Sequence, residues 1–401
     1  MEPFLNDLNG RYASDKKTIL TLCLGSGGLS VADFSRELGT SIPKVTRILN
    51  EMMQEGYLAE LGKQESATGR KPVLYGLNPQ AGYFVGVDVG MTALSIAVTD
   101  FPGHMVSFQD EIPFVLEGKE ESVEQFCTLV LDQLAQAGIG LEKVRAFGVN
   151  LTGRVNHSTG YSYSYFIGEE KPIRDLFQKG FGKYVSIEND SRAMAYGEYM
   201  TSYAHEEDNT CLFLNASWGL GMGMILDGKL FTGKNGFSGE IGHFPMLDNN
   251  VFCRCGKVGC LETGASGFAL QRLVKEKLAD GRASLLLDRH KNGEDISLGE
   301  ILDAVNKEDV VAIECVEEVG ATLGRAVAGL INVFNPGLVV IGGRLSVTER
   351  YLMPPLKSAV NKYSLNLVSS NTVIKASRLG KEAGAIGASL LSKSRLLDRL
   401  G

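Results

Sequence analysis

The chain has 401 residues, 44% hydrophobic and 22% charged, with a net charge of −7 and a mean hydropathy of zero. These values suit a globular protein of two or three domains with material for large buried cores. They exclude a uniformly basic nucleic-acid binder, but leave room for a small DNA-binding module on an acidic body. The opening "MEPFLNDLNGRYASDKK" lacks the apolar run of a signal peptide, and no apolar stretch reaches bilayer length. A cytoplasmic protein without membrane association is expected, with its thiols reduced.

The first eighty residues form a distinct module. "DKKTILTLCLGS" has helical periodicity, with Ile19, Leu20, Cys23 and Leu24 on one face. "LSVADFSRELGTSIPKVTRILNEMMQEGYL" predicts a short helix, a turn at Gly39-Thr40 and a second helix. Ser41 suits its N-cap and Pro43 its first turn. Ile42, Val45, Ile48, Leu49 and Met52 make the apolar stripe, which leaves Lys44, Thr46, Arg47 and Asn50 outside. "GYLAELGK" and "KPVLYGLN" then read as a β-hairpin around polar "QESATGR". This is the order of a winged helix-turn-helix, residues 1–80. A helical cap or oligomerisation module is the plainer alternative, and basic and acidic residues roughly balance here. The basic ones nevertheless sit where a DNA reader needs them: Lys44 and Arg47 on the second helix, Lys63, Arg70 and Lys71 in the wing. Lys44, Thr46 and Arg47 are the candidate base or phosphate contacts, and Arg70 and Lys71 the candidate backbone or minor-groove contacts.

From Pro79 the texture becomes α/β. "YFVGVDVGMTALSIAVTD" and "TCLFLNASWGLGMGMILDGKL" share one design, a strand, a glycine-containing turn and a second strand. Their recurrence predicts a duplicated α/β body with a cleft between its copies. Helices are expected in "SVEQFCTLVLDQLAQAG" and "GATLGRAVAGLINVFNP", and a polar helical surface insertion in "KEKLADGRASLLLDRHKNGEDISLGE". The expected division is 81–200 plus 376–401 for the first α/β domain and 201–375 for the second.

Three of the seven cysteines crowd into "FCRCGKVGCLE". Cys23, Cys127, Cys211 and Cys315 lie in apolar surroundings and read as core. Cys253, Cys255 and Cys260 have the close spacing of metal ligands, and His243 of "GFSGEIGHFP" completes a Cys₃His set. A disulfide plus a spare thiol is the alternative, disfavoured in a reducing compartment. Four protein ligands leave no place for water, so the expected ion is a structural Zn²⁺. It would pin the loop that carries Glu262.

"GFSGEIGH" followed by "CRCGKVGCLE", with "ENDSRAMAYGE", "INVFNPGLVVIGGRLS" and "LGKEAGAIGAS", resembles the ROK family of repressors, open reading frames and kinases, and the added head resembles its transcriptional-regulator branch. The resemblance implies an α/β fold: an actin-like, sugar-kinase (ribonuclease H-like) two-domain body behind the winged module. It also implies that Asn189, Asp190, Glu240, His243 and Glu262 bind sugar hydroxyls, a task suited to convergent donors and acceptors. "GVNLTGRVNHSTGY" resembles the family's P-G-x-V segment, with Thr152 in place of the proline and Gly153 and Arg154 beside it.

In a kinase of this family Asp190 would be the general base, and two glycine-rich loops would hold phosphates. Here the first reads "DVGMT": Asp88, Gly90 and Thr92 remain, but Met91 replaces a glycine. The second reads "SWGLG": Gly219 and Gly221 remain, but Ser217 and Trp218 replace glycine and threonine. Backbone N–H groups cradle phosphate only where side chains let them approach. The sequence therefore predicts a sugar-responsive, DNA-binding repressor with little or no use of ATP, and a sugar kinase with an accessory head as the alternative. Core packing is the plainer account of Trp218. The expected partners are operator DNA, a sugar or sugar phosphate effector, and further copies of the chain in a homodimer or homotetramer.

Overall fold

The structure, a computed structural model, describes residues 12–63, 72–164, 171–204 and 209–399. It comprises two compact units, Met1–Asp190 with Gly384–Gly401, and Ser191–Ala383. No helix among the described residues is long and apolar enough to cross a membrane.

The head follows the expected order. Helix Ala13–Ser26 leads to a short strand, β1 (Leu29–Ser30), then helix Val31–Glu37, helix Ile42–Gln54 and the hairpin of β2 (Leu58–Lys63) and β3 (Val73–Leu77). The sheet order is β1-β3-β2, antiparallel throughout. Ser30 and Asp33 form a reciprocal capping box that starts the second helix. Ser41 takes the N-cap position of the third helix with Pro43 in its first turn, although its side chain makes no capping bond. Val45, Ile48, Leu49 and Met52 are buried as expected, but Ile42 is 54% exposed. It is the first helical residue, and the packed face begins one turn later.

The head is not strung on a linker. Its core, built on Ile19, Leu20, Phe34, Val45, Ile48 and Met52, runs without a break into Tyr57, Phe84, Phe101, Ala146 and Leu396. Phe101 meets Tyr57 at 6.1 Å and Phe84 at 6.0 Å between ring centroids. Arg145 clamps the junction by donating to the Ala81 carbonyl.

The first half of the body contains β4 (Tyr83–Val89), β5 (Ala93–Thr99), β6 (Met105–Pro113), β7 (Val144–Leu151), the small pair β8 (Val155–Asn156) and β9 (Tyr161–Ser162), and β10 (Tyr184–Asn189). Its main sheet has the order β10-β7-β4-β5-β6. The second half contains β11 (Cys211–Ala216), β12 (Leu220–Leu226), β13 (Lys229–Phe231), β14 (Leu338–Gly342) and β15 (Val373–Ala376), in the order β13-β12-β11-β14-β15. In both, an antiparallel three-strand meander is extended by two parallel strands. The duplication read from the two hairpins therefore extends to whole sheets. Helices Glu120–Gln136 and Ile173–Phe181 cover the first sheet through an aromatic cluster, in which Phe147 stacks on Phe181 at 4.0 Å. The expected polar surface insertion is not all surface: Leu286, Ile296 and Leu298 enter the second core. A segment polar on average can still bury isolated apolar side chains.

The closing helix, Ala383–Leu397, lies directly on the first sheet. Gly86 and Gly148 face each other across β4 and β7. A Cβ on either would come within about 2 Å of a carbonyl oxygen of this helix, at Ala385 or Ala388. Glycine at both places is what lets helix and sheet backbones touch.

Candidate functional site

The loops after β13 gather the four expected metal ligands. One ligand atom from each of His243, Cys253, Cys255 and Cys260 lies within 4.8 Å of all the others. His243 Nδ1 is 3.6 Å from Cys253 Sγ, and Cys255 Sγ is 3.6 Å from Cys260 Sγ. Zn–S bonds of ~2.3 Å in a tetrahedron put sulfurs roughly 3.8 Å apart, so the donor set fits such an ion. Burial pushes the Cys253 thiol up to about 12. A cation at the cluster would supply the charge that makes it a thiolate. Cys23, Cys127 and Cys211, pushed by burial to about 12, and Cys315, to about 11, are core thiols as expected.

His243 turns its other nitrogen toward Glu240, at 3.8 Å. Glu262 is held by two neighbours: its Oε2 accepts from the Leu220 N–H at 3.0 Å, and its Oε1 lies 3.6 Å from Cys253 Sγ. The cysteine loop, Glu262 and the start of β12 are therefore one connected assembly. Gly219 and Gly221 have local reasons to lack a side chain, since a Cβ would strike Glu262 at one and Ser191 at the other.

The turn between β11 and β12 is filled by the protein itself. Trp218 is half-buried on the second core, edge-on to Phe268, with the Arg254 guanidinium 5.5 Å from its ring centre. Its indole N–H has no hydrogen-bond partner among the described residues. The carbonyls of Ser217 and Trp218 accept from the Gly267 and Phe268 N–H groups at 2.7 and 3.0 Å, at the start of helix Gly267–Ala279. Ser266 caps the next N–H, that of Ala269. The donors that a helix N-terminus would offer a phosphate are spoken for. Ser217 Oγ donates to Asn215 and accepts from the Arg344 N–H.

In the first half, Asn189 ends β10 and Asp190 opens the next helix, Asp190–Ser202. The Asn189 amide donates to the Gly153 carbonyl at 2.9 Å and to Asp190 Oδ1 at 2.7 Å. The Gly153–Arg154 segment is thus anchored at Asn189. Buried Glu188 accepts from the Asn189 N–H and from Arg395 of the closing helix. Asp88 lies nearby, with an Oδ1 that is shut from solvent and lacks a hydrogen-bond partner. Burial, then the Asp190 charge, push its carboxyl up to about 7, against the opposing effect of the Asn150 amide. Gly90 closes the β4–β5 turn with an N–H to the Ala93 carbonyl, and Met91 points outward, 55% exposed.

On the head, Arg47 and Thr46 are exposed and Lys44 is half-exposed on helix Ile42–Gln54. Arg70 and Lys71 lie outside the described residues. Two features leave no signal in the sequence: the Arg254–Trp218 contact and the contacts of Tyr12 with Lys44 and Arg47.

Comparison with known proteins agrees with this architecture. The chain is 28% identical to the xylose repressor of Caldicellulosiruptor bescii over 390 residues, 96% of each chain. It is 31% identical to a glucokinase of Halalkalibacterium halodurans, over 78% of this chain and 96% of the kinase. The crystal structure of a ROK family transcriptional regulator, a homologue of the Escherichia coli MLC protein, superposes with a TM-score of 0.80 at 26% identity, covering 99% and 98% of the two chains. The ROK family profile matches residues 84–395, and the chain belongs to the ROK family.

Proposed function

We propose that this protein is a sugar-responsive, DNA-binding transcriptional repressor of carbohydrate genes. The observation that carries the reading is the head: three helices and a hairpin share one continuous core with a sugar-kinase-like half-body. A rigid seat of that kind lets a change in the body reach a DNA reader. The filled β11–β12 turn supports sensing over phosphoryl transfer.

In this reading the head is a winged helix-turn-helix whose helix Ile42–Gln54 enters the major groove, with Lys44, Thr46 and Arg47 as candidate contacts and Arg70 and Lys71 in the wing. Asn189 and Asp190 in the first half, and Glu240, His243 and Glu262 in the second, take sugar hydroxyls. His243, Cys253, Cys255 and Cys260 hold a structural Zn²⁺ that fixes Glu262. The protein works in the cytoplasm as a homodimer or homotetramer on a palindromic operator.

The test uses duplexes enriched by the full chain from a random-sequence library. Their affinity is then titrated against a panel of free and phosphorylated pentoses, hexoses and amino sugars. At least one sugar should change the affinity tenfold or more, and Asp190→Asn should remove that response while leaving sugar-free DNA binding intact. A panel with no effect on any enriched duplex rejects the sensor.

The retained Asp88 and Asp190 favour a second reading, a sugar kinase with an accessory head. ATP turnover on the same panel that disappears in Asp190→Asn would put it first.

A further inference from the structure

The two cations on the outer face of helix Ile42–Gln54 are not equivalent. Lys44 Nζ is 2.8 Å from the Asp15 carboxylate. Arg47 donates to the Tyr12 hydroxyl, and its guanidinium lies 5.4 Å from the centre of the Tyr12 ring. Lys44 Nζ lies at the same distance from that ring. Tyr12 is itself well placed: its carbonyl accepts from the Lys16 N–H and so closes the first turn of helix Ala13–Ser26. Lys16, with its side chain buried, reaches Glu51 and Glu55 at 2.8 and 2.7 Å and locks that helix to helix Ile42–Gln54.

Resting on the DNA-binding reading but narrowing its candidate contacts, we propose that Arg47, oriented by Tyr12, is the base-reading cation of this helix, and that Lys44, neutralised by Asp15, drops out of the set and makes no phosphate contact. A guanidinium carries five N–H donors. One held by a phenol oxygen leaves a fork for the O6 and N7 of guanine. The hydroxyl bond and the ring beside it narrow the conformers that Arg47 must give up on binding. Tyr12 is thus a positioning residue. An ammonium already paired with a carboxylate releases no counterion when DNA arrives, so Lys44 adds nothing to the salt dependence. Thr46 returns its hydroxyl hydrogen to the Ile42 carbonyl at 2.9 Å, which leaves its oxygen as an acceptor only.

The experiment measures the affinity of the full chain for its library-enriched duplex and for a scrambled duplex across a salt series, in wild type, the Lys44→Ala, Asp15→Asn double variant, Asp15→Asn alone, Tyr12→Ala, Tyr12→Phe and Arg47→Ala. Lys44→Ala made together with Asp15→Asn, so that no carboxylate is stranded, should leave the salt slope of wild type unchanged. Asp15→Asn, nearly isosteric, should steepen it by about one unit by freeing Lys44. Arg47→Ala should cost about tenfold or more on the enriched duplex and relax the base preference at one position. Tyr12→Ala should lose selectivity while binding scrambled DNA as wild type does, and Tyr12→Phe, which keeps the ring, should retain part of it. A shallower slope than wild type in the Lys44→Ala, Asp15→Asn double variant, or an unchanged base preference in Tyr12→Ala, overturns the proposal. If wild type enriches no sequence, the DNA-binding reading itself falls, and this inference falls with it.

Discussion

The two halves of the body share one sheet topology, yet the turns of their leading hairpins have diverged. Between β4 and β5 the turn is open: Met91 points outward, and Asp88 keeps a buried oxygen without a partner. Between β11 and β12 the turn is packed, with an indole under an arginine and two carbonyls on a helix N-terminus. The backbone plan sets where a loop stands, and its side chains decide what it can receive. One turn leaves a buried carboxylate oxygen unpartnered, while the other is filled by its own side chains.

Four measurements can break or sharpen this contrast. The largest effect is expected in the second half. Stripping metal with a chelator, or Cys260→Ser, should cost on the order of 5 kcal/mol there. The emission of Trp218, the single tryptophan, should shift with it, because Arg254 in the same loop lies over the ring. Calorimetry and fluorescence unaffected by chelation would remove the metal. Next comes Asp88, with the opposite sign. Its folded pKa of about 7 exceeds the ordinary 3.8, so the native state takes up a proton between those values. The stability this contributes is whole below about pH 4 and lost as pH rises through 7. Asp88→Asn should therefore raise the stability at pH 8 by up to about 4 kcal/mol, with the gain vanishing toward pH 4. Melting curves that show the same gain at both pH values would refute the shifted carboxyl. Third, Trp218→Ala should cost about 2 kcal/mol in denaturant titration, since the ring is only half-buried. Last, Met91→Ala should stay within about 0.5 kcal/mol. Equal costs at the two turns would erase the difference between them.

Much of this was legible in the chain because it is written locally. The alternating strands, the helix with Pro43 in its first turn and the C-x-C-x4-C spacing are short-range patterns, and each appears where its residues predict. What could not be read depends on residues far apart in sequence. Nothing near Tyr57 announces that it will meet Phe101 and share a core with Leu396. The Arg254–Trp218 contact joins two loops through the same kind of distant closure. The exposed Ile42 and the buried Ile296 show the limit of periodicity: it ranks the faces of a helix but does not say where the neighbouring surface begins or ends.

The closing helix has a consequence for handling the molecule. Gly384, in its first turn, abuts the Asp88 carboxylate, and Leu396, in its last, is part of the hydrophobic seat of the head. A chain cut before Ala383 would lose a wall beside Asp88 and a floor beneath the head in one stroke. Such a truncation should therefore unsettle the Asp88 environment and the head in the same melting transition.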